Sequence, residues 1–255
     1  MSRTQRVGRS LDFVGNANDA TSRYNISGNL NLDKATLDAD FLKAGDAADV
    51  ATSVGNGGVV AVEAIANGAL RLTASTGADD NCAEANFPFI WYCAQEPSLR
   101  MRVKVNNITT VGIAIGWFDN LINTNDQIKC EISGTTVTDR GSTPDLAGFV
   151  FDTDQTTDSW YFVNSKAGSQ AGTILSGVAP VAATYEVFQI DLDSSGNATY
   201  WRNHAYVGRK ANAVTDTTAL GPYAGLIVRA SAERNLDIDY VKVWQNRYES
   251  STVLV

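Results

Sequence analysis

Histidine occurs once in these 255 residues, methionine twice, cysteine three times and proline five times. The lone histidine, His204, cannot build a His-rich zinc site, and a serine or cysteine hydrolase would have no other imidazole to use as its base. Cys82, Cys93 and Cys130 are too few for a four-cysteine cluster. Their odd number favours reduced, mostly buried thiols, while a Cys82–Cys93 link stays open because spacing cannot test its geometry. Basic charge is also short: 20 Lys+Arg stand against 28 Asp+Glu, a net charge of -8. That balance argues against a phosphate-neutralising surface and so against nucleic acid. No run of about 18 apolar residues offers a membrane-spanning helix, and no apolar stretch follows the N-terminal arginines as a secretory signal requires. What is present is 44% apolar residues and 19% charged ones, too apolar for a disordered chain. A chain of this length buries roughly 70–75% of its unfolded surface and folds without staples.

The charge is unevenly placed. Arg3, Arg6 and Arg9 fall in the first ten positions, where there is no acid, leaving 17 basic against 28 acidic residues, a net of -11, on residues 11–255. A basic arm on an acidic body is the pattern of an electrostatic tether to an acidic partner. Residues 11–34 are rich in Asn, Asp, Ser and Gly and read as an extended continuation of that arm. The expected organisation is an arm over 1–34, one domain over 35–247 and a short tail over 248–255.

From Thr36 onward, short apolar runs of period two alternate with turn clusters. In Leu99-Arg100-Met101-Arg102-Val103-Lys104-Val105 the apolar residues share one face and the cations the other, which marks a half-buried antiparallel strand. Similar runs lie at 59–63, 69–74, 111–118, 128–132, 149–151, 160–163, 185–192, 198–202, 223–230 and 236–244. Asn106-Asn107, Asp193–Asn197 and Arg202-Asn203-His204-Ala205 supply turn chemistry between them. Thr36–Ala48 and Ala211–Ala219 offer at most a turn or two of helix. Near Asp239-Tyr240 the phase slips, since Leu236 and Ile238 share one face and then Val241 and Val243 do, as a β-bulge would produce. The expected fold is all-β, a two-sheet antiparallel sandwich.

Three stretches carry a resemblance. Tyr185–Asp193 followed by Gly196–Asn203 resembles a hairpin of concanavalin A-like (laminin-G-like) jelly rolls. Leu220–Tyr223 with Leu236–Trp244 looks like the closing strands of the same superfamily, which includes laminarinase-type hydrolases. Gly116–Asp119, Gly148–Asp152 and Thr157–Tyr161 are similar to jelly-roll proteins of tailed bacteriophages. The resemblance implies a non-enzymatic virion structural protein, either a capsid decoration (cement) or a head-fibre protein. It would be assembled in the host cytoplasm, bound to capsid or other virion proteins through the arm, and homo-oligomeric, with a trimer expected by analogy. The alternative it leaves is a carbohydrate-binding adhesin or tail receptor-binding module.

Retaining glycosidases place two carboxylates about 5–5.5 Å apart. No Glu-x-Asp occurs in the chain, and Asp237-x-Asp239 reads as solvent-facing residues of the closing strand, so no enzyme is expected. His204 reads as a turn residue. Calcium stays open at two acidic loops, Asp191–Asn197 and Asp152-x-Asp154 with Asp158, although a solvated turn explains both and no cofactor is required. For a glycan, the candidates are Trp117, Trp160 and Tyr161 as stacking rings beside Asp119, Asp152 and Asn203 as hydroxyl partners. Buried packing competes with that role for every aromatic.

Overall fold

The computed structural model describes residues 34–42, 50–55, 58–65, 67–75, 79–120, 127–140, 144–174 and 178–246. In chain order the strands are β1 (Lys34–Asp40), β2 (Ala51–Val54), β3 (Val59–Glu63), β4 (Ala69–Ala74), β5 (Cys82–Asn86), β6 (Ser98–Val105), β7 (Val111–Phe118), β8 (Cys130–Ser133), β9 (Thr136–Asp139), β10 (Leu146–Asp152), β11 (Tyr161–Lys166), β12 (Ser169–Ile174), β13 (Glu186–Leu192), β14 (Ala198–Arg202), β15 (Ala205–Lys210), β16 (Gly221–Val228) and β17 (Arg234–Asn246). A seven-stranded sheet runs β12-β11-β10-β7-β16-β5-β2, and an eight-stranded sheet runs β15-β14-β13-β6-β17-β4-β3, with β1 beside the later half of β17. A two-stranded sheet, β8-β9, stands apart. Every strand pairing among the described residues is antiparallel. The all-β sandwich expected from the alternating runs is the fold observed.

Alternation sets which sheet faces what. In β6 and β13 every second residue is buried, so Leu99, Met101, Val103, Phe188, Ile190 and Leu192 enter the space between the sheets. The seven-stranded sheet meets them with Val111, Ile113, Ile115, Trp117, Phe149 and Phe151. Aromatic rings dominate this core: Phe149 and Phe188 lie 4.8 Å apart, and Trp160 and Phe188 4.7 Å.

The seven-stranded sheet is buried on its other face as well. Ala114, Phe118, Leu146, Val150, Tyr223 and Ile227 alternate with the main-core residues and form a second apolar cluster with Ile128, Cys130, Ile132 and Val137 of the β8–β9 region. Strands buried on both faces lose their alternation, and β7, β10 and β16 are buried throughout. Tight apposition of this layer depends on Gly116, which pairs with Gly148 across β7 and β10. A Cβ on Gly116 would sit 2.4 Å from the Ala147 carbonyl oxygen, at a φ of +149°.

The bulge is found where the phase slips, between Ile238 and Tyr240. The expected helical turn over Thr36–Ala48 is corrected: residues 34–40 are β1, paired with β17 from Lys34↔Asn246 to Asp40↔Tyr240. Its small alanines make a faint alternation that a helix could equally carry. Ala211–Ala219 forms turns and a single bridge-forming neighbour at Leu220 instead of a helix. Cys82, Cys93 and Cys130 are all buried thiols, and Cys82 Sγ donates to the Gln127 carbonyl at 3.3 Å. The arm with Arg3, Arg6 and Arg9, and the tail over 248–255, lie outside the described residues.

Candidate functional site

The two outer faces of the sandwich offer different chemistry. Beneath the β8–β9 hairpin, the seven-stranded sheet holds polar groups that are sealed in. Tyr223 donates to Glu84 Oε1 and accepts from the Lys129 backbone N–H at 2.9 Å, while Glu84 Oε2 has no hydrogen-bond partner. Burial pushes the Glu84 carboxyl up to about 8, against the opposing pull of Tyr223 and Lys129. Lys129 is itself fully buried, with its ammonium on Asn120 Oδ1 and 3.2 Å from Asp119 Oδ1.

A second cluster surrounds Arg229, buried at Arg229, Asp152 and Glu131 and open to solvent at Asp80 and Asp154. The Arg229 guanidinium donates to both oxygens of the fully buried Asp152, at 2.9 and 2.5 Å, to Asp80 at 2.7 Å and to Glu131 at 3.0 Å. Desolvation disfavours its charge, but these carboxylates outweigh that and raise its pKa. The acidic loop Asp152-x-Asp154 is thus filled by an arginine where calcium was left open, with Asp154 3.4 Å from the same guanidinium and Asp158 exposed.

The sequence-derived glycan set does not assemble. Trp117 and Trp160 are 0% and 1% exposed in the main core, so neither ring can receive a sugar, and Trp117 Nε1 donates to the Ile190 carbonyl. Tyr161 packs in the second core. Asp119 is occupied by Lys129 and the Asp145 backbone N–H, and Asp152 by Arg229. Asn203 alone lies beside an open surface. It and His204 have φ of +49° and +68°, the two positive values a type I′ hairpin turn between β14 and β15 requires. Asn203 Oδ1 accepts from the Val187 N–H at 2.8 Å, stitching the turn to β13. The turn expected for His204 is therefore observed.

The outer face of the eight-stranded sheet is open and polar. Its register sets one row straight across six strands: Asp38, Lys242, Arg100, Gln189, Trp201 and Tyr206. Five steps of ~4.8 Å make that row about 24 Å long. Its members are tied together. Gln189 Oε1 accepts from Arg100 Nε and Nη2 at 3.1 and 2.8 Å, and Gln189 Nε2 donates to Asp191 at 2.9 Å. Trp201 Nε1 donates to Asp191 Oδ2 at 2.8 Å, and the Tyr206 ring, 59% exposed, stands edge-on to Trp201 at 5.5 Å. Both Gln189 amide atoms are committed, which fixes its orientation. A pocket of about 250 Å³ opens here, lined by Arg100, Val187, Gln189, Trp201 and His204.

The other end of the face is ionic. Asp237 accepts from Arg71 at 2.6 and 3.0 Å and lies 3.0 Å from Lys104, and Asp239, on the bulge, lies 2.5 Å from Arg102. Burial raises the Asp237 pKa, but the bonds from Arg71 and Lys104 outweigh it and hold the carboxyl below its ordinary value. These two aspartates do point to the outer face, but their side chains are only 4% and 11% exposed, capped by cations instead of solvent. The loop Asp191–Asn197 is a hairpin turn: Asp193 accepts from the Ser195 and Asn197 backbone N–H groups, while Asp191 faces the open sheet surface.

Trp201, Gln189 and Arg100 were missed as a site, although alternation places each on the polar face of its own strand. Strand order, which no single run encodes, brings them together.

No family model matches the chain, and no curated protein matches it in sequence. Solved structures match it in shape. The carbohydrate recognition domain of Emp47p is 7% identical, with a TM-score of 0.57 over 85% of this chain and 98% of that one. An immunostimulatory antigen and pseudo beta-1,3-glucanase of Mycobacterium tuberculosis is 11% identical, with a TM-score of 0.56 over 83% and 98%. The catalytic domain of an endo-1,3-beta-glucanase (laminarinase) from Thermotoga petrophila RKU-1 is 13% identical, with a TM-score of 0.52 over 85% and 99%. At such identities the likeness establishes a concanavalin A-like jelly-roll fold. It also corrects the expectation that the protein is not an enzyme, because this architecture carries a glucanase catalytic domain. The missing Glu-x-Asp excludes that one motif only. Directly opposed residues on neighbouring strands also come within about 5 Å.

Proposed function

We propose that the protein binds carbohydrate, and that the ligand lies along the row on the outer face of the eight-stranded sheet. The observation that carries this reading is the Trp201 pocket. An indole ring pinned through its N–H to Asp191 stands beside an amide and a guanidinium already held in place by each other. A preoriented ring with fixed donors and acceptors suits a sugar ring, which offers C–H groups to an aromatic face and hydroxyls to polar neighbours. Little conformational entropy is lost when such a site is filled. The carbohydrate recognition domain among the fold's neighbours supports the same class of ligand. Glycan-array binding should be lost or fall about tenfold or more with Trp201→Ala, while Trp244→Ala, beyond the pocket lining, has the smaller effect. An array with no binder, or unchanged binding by Trp201→Ala, would reject the site.

A second reading, a structural subunit of a tailed-phage particle, is favoured by the charge split. In it Arg3, Arg6 and Arg9 tether an acidic, homo-oligomeric body to capsid or other virion proteins, and the polar sheet face points outward. Removing residues 1–33, short of β1, should leave a folded protein that no longer joins particles. Undiminished incorporation would end that reading.

A further inference from the structure

Six cations among the described side chains stand on the outer face of the eight-stranded sheet, and five of them are matched, Arg209 by Asp193 at 3.0 Å. Arg71 and Lys104 share Asp237, Arg102 has Asp239, and Lys242 has Asp38 at 2.9 Å. Arg100 differs. Among the described residues it has no carboxylate within ion-pair distance, and its hydrogen-bond partner is the neutral Gln189 carbonyl. Those two bonds use two of the five N–H donors of a guanidinium, leaving three, including a pair on Nη1 and Nη2 that can grip two oxygens in parallel. Gln189 cannot turn away, because its amide nitrogen is engaged by Asp191. Arg100 also lies over the Trp244 ring at 5.8 Å, so the guanidinium has a ring and an amide as neighbours. The arginine thus lines the pocket as a positioned, uncompensated positive charge, next to the ring of Trp201 and the imidazole of His204.

We infer that the pocket takes a carboxylate-bearing sugar, a uronic acid residue of an anionic polysaccharide, with the carboxylate gripped by Arg100 and the pyranose ring lying on Trp201. This inference rests on the glycan-binding reading and narrows it. A neutral sugar would leave the Arg100 charge facing water, whereas a uronate supplies the one partner the face lacks. Asp191 keeps its charge but does not compete for the Arg100 donors, since its oxygens accept from Gln189 Nε2 and Trp201 Nε1 and it does not line the pocket. The net charge of -8 repels a polyanion at long range, but salt screens that field beyond about 8 Å at physiological ionic strength, while the Arg100 contact is direct.

The test is calorimetric titration of the full chain with hexamers of galacturonate, glucuronate and mannuronate, each beside its carboxyl-reduced counterpart. The two members of a pair share rings and linkages and differ only in the charged group. At least one uronate should bind about tenfold or more tightly than its reduced form. Arg100→Met should bring the two affinities within about threefold, and Arg100→Lys, which keeps the charge without the fork, should restore only part of the preference. Circular dichroism and thermal melting confirm that each variant is folded. Reduced oligomers binding as tightly as uronates would overturn the uronate inference and leave the glycan reading standing. Binding by no oligomer of either kind would overturn the uronate inference, and a glycan array with no binder would overturn the glycan reading with it. A uronate preference that survives Arg100→Met would overturn the role given to Arg100.

Discussion

The two outer faces of this sandwich are built from the same antiparallel geometry and put to opposite uses. On the seven-stranded sheet, Phe118, Val150, Tyr223 and Ile227 are covered by the β8–β9 hairpin, and the charges there, Glu84, Asp152 and Arg229, are buried with them. On the eight-stranded sheet, charges of similar number stand half-exposed in a regular row, linked by hydrogen bonds from Arg100 to Trp201. A polar group has opposite meaning in the two settings. Under the hairpin it is expensive and must be satisfied internally. On the open row it costs little and is available to a ligand.

That contrast can be broken by mutation, most severely at Arg229. Arg229→Ala leaves the buried carboxylate of Asp152 without its counter-charge and should cost about 3–5 kcal/mol in urea denaturation. A loss under about 1 kcal/mol would mean that this cluster is hydrated. The next effect concerns pH. Glu84 ionises near its ordinary 4.5 when unfolded but only at about 8 when folded, so the folded state holds the extra proton between those values. Stability from this group is complete below about pH 4.5, falls by about 1.4 kcal/mol per unit through the window, and is lost above about 8. Glu84→Gln removes the slope, so wild type should lose about 3 kcal/mol relative to the variant between pH 5 and 7.5. Parallel stability profiles would show that Glu84 is ionised in the fold.

Tyr223→Phe strips the hydroxyl that joins Glu84 to the Lys129 backbone N–H and should cost about 1–3 kcal/mol at pH 6. The smallest effect belongs to the open face. Arg100→Met should change stability by less than about 1 kcal/mol, because the charge is half-exposed and its partner there is a neutral amide. A large destabilisation would make Arg100 a structural residue and remove the reason to assign it a ligand.

Legibility in the sequence follows the same division. Where one face is wet, alternation is plain, and Val59–Glu63, Ala69–Ala74 and Ala198–Arg202 occur with the bounds expected; Val111–Phe118 does so too, although it is buried on both faces, because its apolar run is continuous. The β17 bulge was readable because an apolar phase slip leaves a mark in the sequence. The strands β1, β2, β5, β9, β12 and β15 were not readable. Cys82–Asn86 is buried at every position and shows no alternation, and Ser169–Ile174 lies at a sheet edge and carries few apolar residues. The same double burial misled the choice of site. Trp117 and Asp152 sit in strands covered on both sides, so a tryptophan beside an acid looked like a binding pair when each had its own partner inside. The row on the open face is a property of strand order: Arg100, Gln189 and Trp201 are far apart in sequence, and only the β6-β13-β14 pairing makes them neighbours.

The most direct test of the open-face account uses the indole N–H resonances of the five tryptophans. Nitrogen-15 spectra recorded during titration with the tightest-binding oligosaccharide should show the Trp201 Nε1–H shifting saturably, together with the Gln189 side-chain amide, while Trp117 and Trp160 stay fixed. A saturable shift confined to residues around the β8–β9 hairpin, with Trp201 unmoved, would contradict it.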